Sequence, residues 1–244
     1  MAHRALVFGA TGYTGEHVVR VLRSRGITTT AHVRPDSARG PQWESAFAAL
    51  GADVARHPWT PETIQALVSE TRPAWVFALL GTTKARKKAR VAAGDDGSLE
   101  TYAAVDRDLT LQVLNATADL QPAAVFVYLS SLGADPQARL PYLRVRGEVE
   151  GALACGDVPH IIAQPGFITG SDRPESRPME RLGAALSDTS LACLAALGLR
   201  GPRDRWASIT GGDLAAALVN AALSAPPGSN QTLEPPALRR LAVS

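Results

Sequence analysis

Cysteine is scarce in this sequence: Cys155 and Cys193 are the two in 244 residues. They form no CxxC pair, so a zinc site and a dithiol redox motif are excluded, and both are expected to be inert thiols in buried or half-buried positions. His3, His17, His32, His57 and His160 are scattered without the spacing of a metal site, and no Ser-His-Asp arrangement is indicated. Charge of one sign is lacking too. The formal net charge is +2, which gives no support to a nucleic-acid or membrane-surface role. No uninterrupted apolar run reaches the roughly 18 residues of a membrane span. Residues 182–199 come nearest, and Ser187, Asp188, Thr189 and Ser190 break them. No signal peptide is read ahead of the first apolar segment, so a soluble protein of the reduced cytoplasm is expected.

What is present is an ordinary globular composition, 45% apolar and 20% charged, in a chain long enough for one α/β domain with a full core. Strand-like and helix-like segments alternate from the start. Residues 5–8 are a short apolar run, 16–25 carry Val18, Val19 and Leu22 on one helical face, and Gly26 ends them. Residues 28–33 are rich in β-branched side chains; 41–50 read as a helix and 52–55 as a strand. A helix over 61–70 opens on Pro61, and 74–80 are a strongly apolar strand. Residues 84–98 hold a basic run (Lys84, Arg86, Lys87, Lys88, Arg90) and read as an exposed loop. A long helix over 99–120, a strand over 123–129, a helix over 142–154 and a strand over 160–163 follow. Beyond Gly166 the order loosens into a helix at 180–199, a short strand at 206–209, a helix at 213–223 and a proline-rich irregular segment at 226–236. The alternation predicts an α/β fold: a Rossmann-type doubly wound parallel sheet with a small, mostly helical C-terminal substrate region. No internal repeat or interdomain linker is found, so 1–244 reads as a single domain, with 167–244 contributing the substrate side.

Gly9, Thr11, Gly12, Tyr13, Thr14 and Gly15 lie in a GATGYTG turn between the first predicted strand and helix. One glycine permits a tight turn, one lets the backbone approach a pyrophosphate, and one lets helix and strand pack closely. The free N–H groups of the helix then face the anion. In this context the GxxGxxG spacing predicts a nicotinamide-dinucleotide site. The second strand ends in His32-Val33-Arg34-Pro35, without the carboxylate that accepts from a ribose 2′-hydroxyl; Asp36 lies beyond the proline. Arg34 is placed to pair with a 2′-phosphate, which favours NADP(H) over NAD(H).

Several segments together resemble the short-chain dehydrogenase superfamily in its atypical NAD(P)-binding branch, most closely the Tat-interacting-protein-type oxidoreductases. They are GATGYTG at Gly9, LLGTT at 79–83, VDRD at 105–108, YLSSLGA at 128–134, YLRVRGEVE at 142–150 and QPGFITGSDRPESRP at 164–178. The resemblance implies that Leu80, Gly81 and Thr82 line the ribose side of the cofactor and that Pro165 and Gly166 border the nicotinamide. It also implies that Ser131, ahead of Ser130, hydrogen-bonds a substrate carbonyl and that Tyr142 donates the proton. It further suggests either a monomer or a homodimer paired through the helices at 99–120 and 142–154.

Hydride transfer to a carbonyl leaves an alkoxide, which needs a proton and a hydrogen-bond donor. A tyrosine serves if a nearby cation favours its ionised form. In the superfamily that cation is a lysine one helical turn after the tyrosine; here the position holds Arg146. A guanidinium can stabilise a tyrosinate and hold ribose hydroxyls, but it does not readily lose a proton, so a lysine-type relay is excluded. The expectation is an NADPH-dependent oxidoreductase acting on a small-molecule carbonyl substrate, with Ser131, Tyr142 and Arg146 as catalytic residues and no nucleic-acid, membrane or metal partner. Two alternatives stand beside it: an NADPH-binding regulator or scaffold with little chemistry, and a sugar-nucleotide epimerase or dehydratase. The last ranks lowest because little chain remains after Gly166 for a larger substrate domain. Arg173 and Arg177 are read either as a lid over an anionic substrate or as local partners of Asp172 and Glu175.

Overall fold

The computed structural model describes residues 3–82, 101–170 and 208–243. A seven-stranded, all-parallel sheet is its centre. In chain order the elements begin with β1 (Arg4–Phe8), α1 (Tyr13–Ser24), β2 (Thr28–His32), α2 (Gly40–Ala49), β3 (Asp53–Ala55), α3 (Pro61–Thr71) and β4 (Trp75–Ala78). A π-helical segment, Tyr102–Asp108, runs into α4 (Leu109–Ala118). Then come β5 (Val125–Leu129), α5 (Pro141–Cys155), β6 (His160–Ala163), β7 (Ile168–Thr169), β8 (Ile209–Thr210), α6 (Gly211–Ser224), β9 (Gln231–Leu233) and α7 (Pro235–Ala242). The sheet order is β3-β2-β1-β4-β5-β6-β9, and β7 pairs with β8 separately. Strand order reverses between β1 and β4, so the crevice that takes ligands in such sheets lies there, outside the carboxyl ends of the strands.

The central strands β1, β4 and β5 are apolar and largely buried on both faces because helices cover both. Along β1, Ala5 and Val7 enter one core cluster with Val18, Val19 and Leu22 of α1 and Leu214 and Leu218 of α6. Leu6 and Phe8 enter the opposite cluster with Ile64 and Val68 of α3 and Val113 of α4. This period-two division fixes the strand register.

The predicted strands and helices through residue 163 are present, with shifted ends. The long helix expected over 99–120 is divided: its first described turns are π-helical, and the α-helix ends at Ala118. The segment at 226–236, expected to be irregular, contains β9, which extends the sheet beyond β6. Pairing with Ile161, Ile162 and Ala163 makes these residues a strand, and Gln164 N–H donates to Leu233 O at 2.9 Å. A further helix, α7, opens on Pro235 and buries Leu238. The short strand expected at 206–209 is observed as Ile209–Thr210. Cys155, expected to be at least half-buried, is exposed at the last turn of α5. The buried stripe of that helix is Val145, Arg146, Val149 and Leu153, which turns Cys155 away from the core. The basic loop at 84–98, Arg173, Arg177, the helix at 180–199 and Cys193 lie outside the described residues.

His32 closes β2 with its imidazole among Phe8, at 5.3 Å, and Trp59, at 4.9 Å, and its Nε2 lies 2.9 Å from His57 O. Burial lowers its pKa to about 4, helped by His57 and Arg34 and opposed by the bond to the His57 carbonyl. The folded value lies below the unfolded value of 6.5, so the unfolded chain takes up a proton first as pH falls. Stability is therefore expected to drop between pH 6.5 and pH 4, by about 2–3 kcal/mol from this residue. Urea unfolding at pH 7 and pH 4.5 checks this. His32→Gln should lose less stability over that interval than the parent; an equal loss would assign the acid sensitivity elsewhere.

Candidate active site

The glycine turn is built by contact distances. Gly9 has φ +79°, and a Cβ there would lie 2.5 Å from Leu79 O at the end of β4. Gly15 sits on α1 where a Cβ would lie 2.1 Å from Gly9 O. These two are glycine because β1, β4 and α1 approach so closely. Gly12 differs: its backbone is extended, it is exposed, and a Cβ would meet only Gly9 O, at 3.2 Å. It occupies the N-cap of α1 with no side-chain cap, and its own N–H donates to Gly9 O at 2.9 Å. The first-turn N–H groups of α1 are the donors an incoming pyrophosphate would meet. Of the remaining turn residues, Thr14 is buried and Thr11 and Tyr13 are half-buried. Tyr13 OH donates to Thr169 O at 3.3 Å, and its ring fills the space a Cβ on Gly211 would need. The turn is thereby tied to the β7–β8 pair.

Arg34 follows β2, with Nη1 3.6 Å from Asp36 Oδ2. Leu80, Gly81 and Thr82 follow β4. Ser130 and Ser131 follow β5, and Pro165 and Gly166 follow β6. The sequence-predicted residues thus meet at one end of the sheet. The loops there are joined: Leu132 N–H donates to Pro165 O at 2.9 Å, and Asp135 N–H to Leu143 O at 3.2 Å beside Tyr142. The two serines divide. Ser130 is buried and its hydroxyl donates to Glu150, whose carboxylate also accepts from Gln164 Nε2 at 3.0 and 2.9 Å. Ser131 is half-exposed, and among the described residues its hydroxyl has only a 3.5 Å contact to Leu132 O.

Tyr142 lies on the first turn of α5, half-buried, edge-on to Tyr102 at 5.5 Å, with the Arg146 guanidinium 5.3 Å from its ring centroid. Arg146 is 4% exposed. Nη1 donates to Leu129 O and to Tyr128 OH, the latter at 3.4 Å. Nη2 donates to Leu80 O at 3.0 Å and to Asp106 Oδ1 at 2.7 Å. The four Nη hydrogens thus all serve protein acceptors. Nε is buried without a partner among the described residues. Burial works against this charge, but Tyr128, Tyr142 and Asp106 outweigh it and hold the guanidinium protonated above its usual range. Burial pushes the Tyr128 phenol up to about 12 against the pull of Arg146, so it stays a neutral hydroxyl. Asp106 is fully buried, and its Oδ2 accepts from Thr82 N–H at 2.9 Å.

Asp106 and Tyr128 had no role in the sequence reading, although both stand in quoted motifs. A signal existed for Asp106. It shares a helical face with Thr110, Val113, Leu114 and Thr117, all buried, and a carboxylate on such a face requires a cation or donors. Arg146, flanked by Val145 and Val149 on its own buried face, is the matching half.

The sequence and the fold have relatives. The sequence profile described as "NAD dependent epimerase/dehydratase family" matches residues 5–141. "Protein fmp52, mitochondrial" of Aspergillus fumigatus is 33% identical over 242 residues, covering 95% of this chain and 93% of that protein. "Protein fmp52-1, mitochondrial" of Aspergillus terreus is 31% identical over 226 residues, covering 92% and 89%. Among solved structures, UDP-glucose 4-epimerase of Thermus thermophilus, in complex with NAD, aligns with a TM-score of 0.61 and 18% identity over 98% of this chain and 82% of its own. At that identity the likeness speaks for the fold. The names of the relatives overturn the expectation of a cytoplasmic protein, since those proteins are named mitochondrial. The family match leaves the epimerase or dehydratase alternative open. With its glycine turn, parallel sheet and strand order in place, the chain belongs to the NAD dependent epimerase/dehydratase family, an NAD(P)-binding branch of the short-chain dehydrogenase superfamily, and the fmp52 proteins are its homologues.

Proposed function

We propose that this protein is an NADPH-dependent oxidoreductase acting on a small carbonyl compound, as the motifs resembling the Tat-interacting-protein-type oxidoreductases suggest. The observation that carries the reading is the placement of Ser131 in the loop after β5 and of Tyr142 on the first turn of α5, tied together by the Asp135 N–H to Leu143 O bond, with Ser130 turned away to Glu150. The cofactor would lay its pyrophosphate on α1, its adenosine half over β1 and β2 with Arg34 toward a 2′-phosphate, and its nicotinamide half over β4 to β6. It would supply the hydride. Ser131 Oγ would orient the carbonyl, and Tyr142 OH would give its proton to the forming alkoxide. Residues 167–244 would supply the substrate side.

Tyr142→Phe tests this. NADPH oxidation across a carbonyl panel is expected to fall about 100-fold while NADPH still binds. Unchanged turnover in the variant would sink the assignment. A second reading is favoured by the Arg146 geometry: a cofactor-binding protein that turns over little, because the cation beside Tyr142 has its Nη donors committed to the protein. Tight NADPH binding without oxidation by any carbonyl would support that reading. Interconversion of a sugar nucleotide with no net cofactor oxidation would instead support an epimerase.

A further inference from the structure

The helix preceding β5 opens with π-helical turns, and Asp106 stands within them, fully buried. Two bonds to other described residues spread from its carboxylate. Oδ1 accepts from Arg146 Nη2 on α5, and Oδ2 accepts from the Thr82 N–H that follows β4. Arg146 carries the connection to the carbonyls of Leu80 and Leu129, where β4 and β5 end. Gly81 passes over the pair, where a Cβ would lie 3.2 Å from Arg146 Nη2 and 3.6 Å from Asp106 Oδ1. The same π-helical segment presents Tyr102 to Tyr142. One carboxylate therefore connects the 80–82 backbone, the end of β5 and the helix carrying Tyr142.

These elements belong to the half of the sheet beyond the switch in strand order, the half that takes the second mononucleotide. None of the bonds just described runs from Asp106 to the β1–β2 half. We infer that Asp106 is a positioning residue for the nicotinamide half of the cofactor: through Arg146 and Thr82 it sets the wall formed by residues 80–82 against Tyr142. The arrangement differs from one in which the cation after the tyrosine itself holds the ribose. Here the cation is a bracket, and the ribose meets the backbone that the bracket holds.

The inference rests on the cofactor reading above, and its test separates the two. Calorimetric titrations compare whole NADPH with adenosine 2′,5′-bisphosphate, which carries the adenosine half alone. Asp106→Asn keeps the shape but sets an amide N–H against a donor and leaves the Arg146 charge unpaired. If that variant does not fold, Asp106→Asn/Arg146→Met removes both charges together, which a buried site tolerates better. In either variant NADPH affinity is expected to fall about tenfold, while the bisphosphate binds within about twofold of the parent. A merely structural role would weaken both ligands alike, and that result, or no change in either, would overturn the inference. A parent protein that binds neither ligand would instead overturn the cofactor reading.

Discussion

Arg146→Ala is expected to lower the unfolding free energy by about 3–5 kcal/mol, the cost of breaking a buried ion pair from one side. The truncation strands the fully buried Asp106 carboxylate and removes the donor to Leu80 O and Leu129 O at the ends of two central strands. Burial decides the size of the effect. An exposed pair such as Arg20–Glu16 on α1 would cost under about 1 kcal/mol. Arg146→Lys should also destabilise, by about 1–3 kcal/mol, because three ammonium hydrogens cannot serve four acceptors spread around a planar fork. A lysine here would restore the superfamily pattern yet fit this site worse than arginine. The urea midpoint at constant m-value reports both changes. A loss below about 1 kcal/mol for Arg146→Ala would show that the bracket contributes little.

The second large effect separates two glycines of one turn. Alanine in a helix interior ordinarily gains about 1 kcal/mol over glycine. At Gly15 the sign reverses, because the new methyl carbon would lie 2.1 Å from Gly9 O and 2.9 Å from Ala10 Cα, both backbone atoms that cannot swing aside. Gly15→Ala is expected to cost about 3 kcal/mol or more. At Gly12 the extended backbone suits any residue and the nearest atom is 3.2 Å away, so Gly12→Ala should cost no more than about 1 kcal/mol. The methyl group would instead stand where the pyrophosphate approaches α1. Thermal unfolding and cofactor titration, run on both variants, should therefore separate: Gly15→Ala loses the fold, and Gly12→Ala keeps it but binds poorly. Equal behaviour of the two would refute the division.

Much of this architecture was legible because the central strands β1, β4 and β5 are short apolar runs and β2 is marked by β-branched residues. The segments at 5–9 and 28–32 illustrate how far that signal reaches: apolar β1 ends at a glycine, and the β-branched Thr28, Thr29 and Thr30 mark β2. β9 was not legible. Its three residues, Gln231, Thr232 and Leu233, lie between Pro227 and Pro235, carry no apolar alternation, and are a strand because the free edge of β6 accepts them. α7 follows from Pro235 and Pro236 at its first turn, a helix-start signal easily taken for a proline-rich tail. In the site, the residue types were readable and the pairing was not. Arg146 could be assigned to a ligand from its spacing to Tyr142. Its commitment to Asp106 depends on two helices meeting above the ends of β4 and β5, which spacing along the chain does not encode.

The proposed function requires the Gly9–Gly15 turn to bind a nicotinamide dinucleotide and Arg34 to favour the 2′-phosphate form. Calorimetric titration of NADPH and NADH into the parent and Gly12→Ala tests it most directly. One NADPH is expected to bind per chain, at least about tenfold more tightly than NADH, with a loss of about tenfold or more in Gly12→Ala. Binding of neither cofactor, or NADPH binding that Gly12→Ala leaves intact, would contradict it.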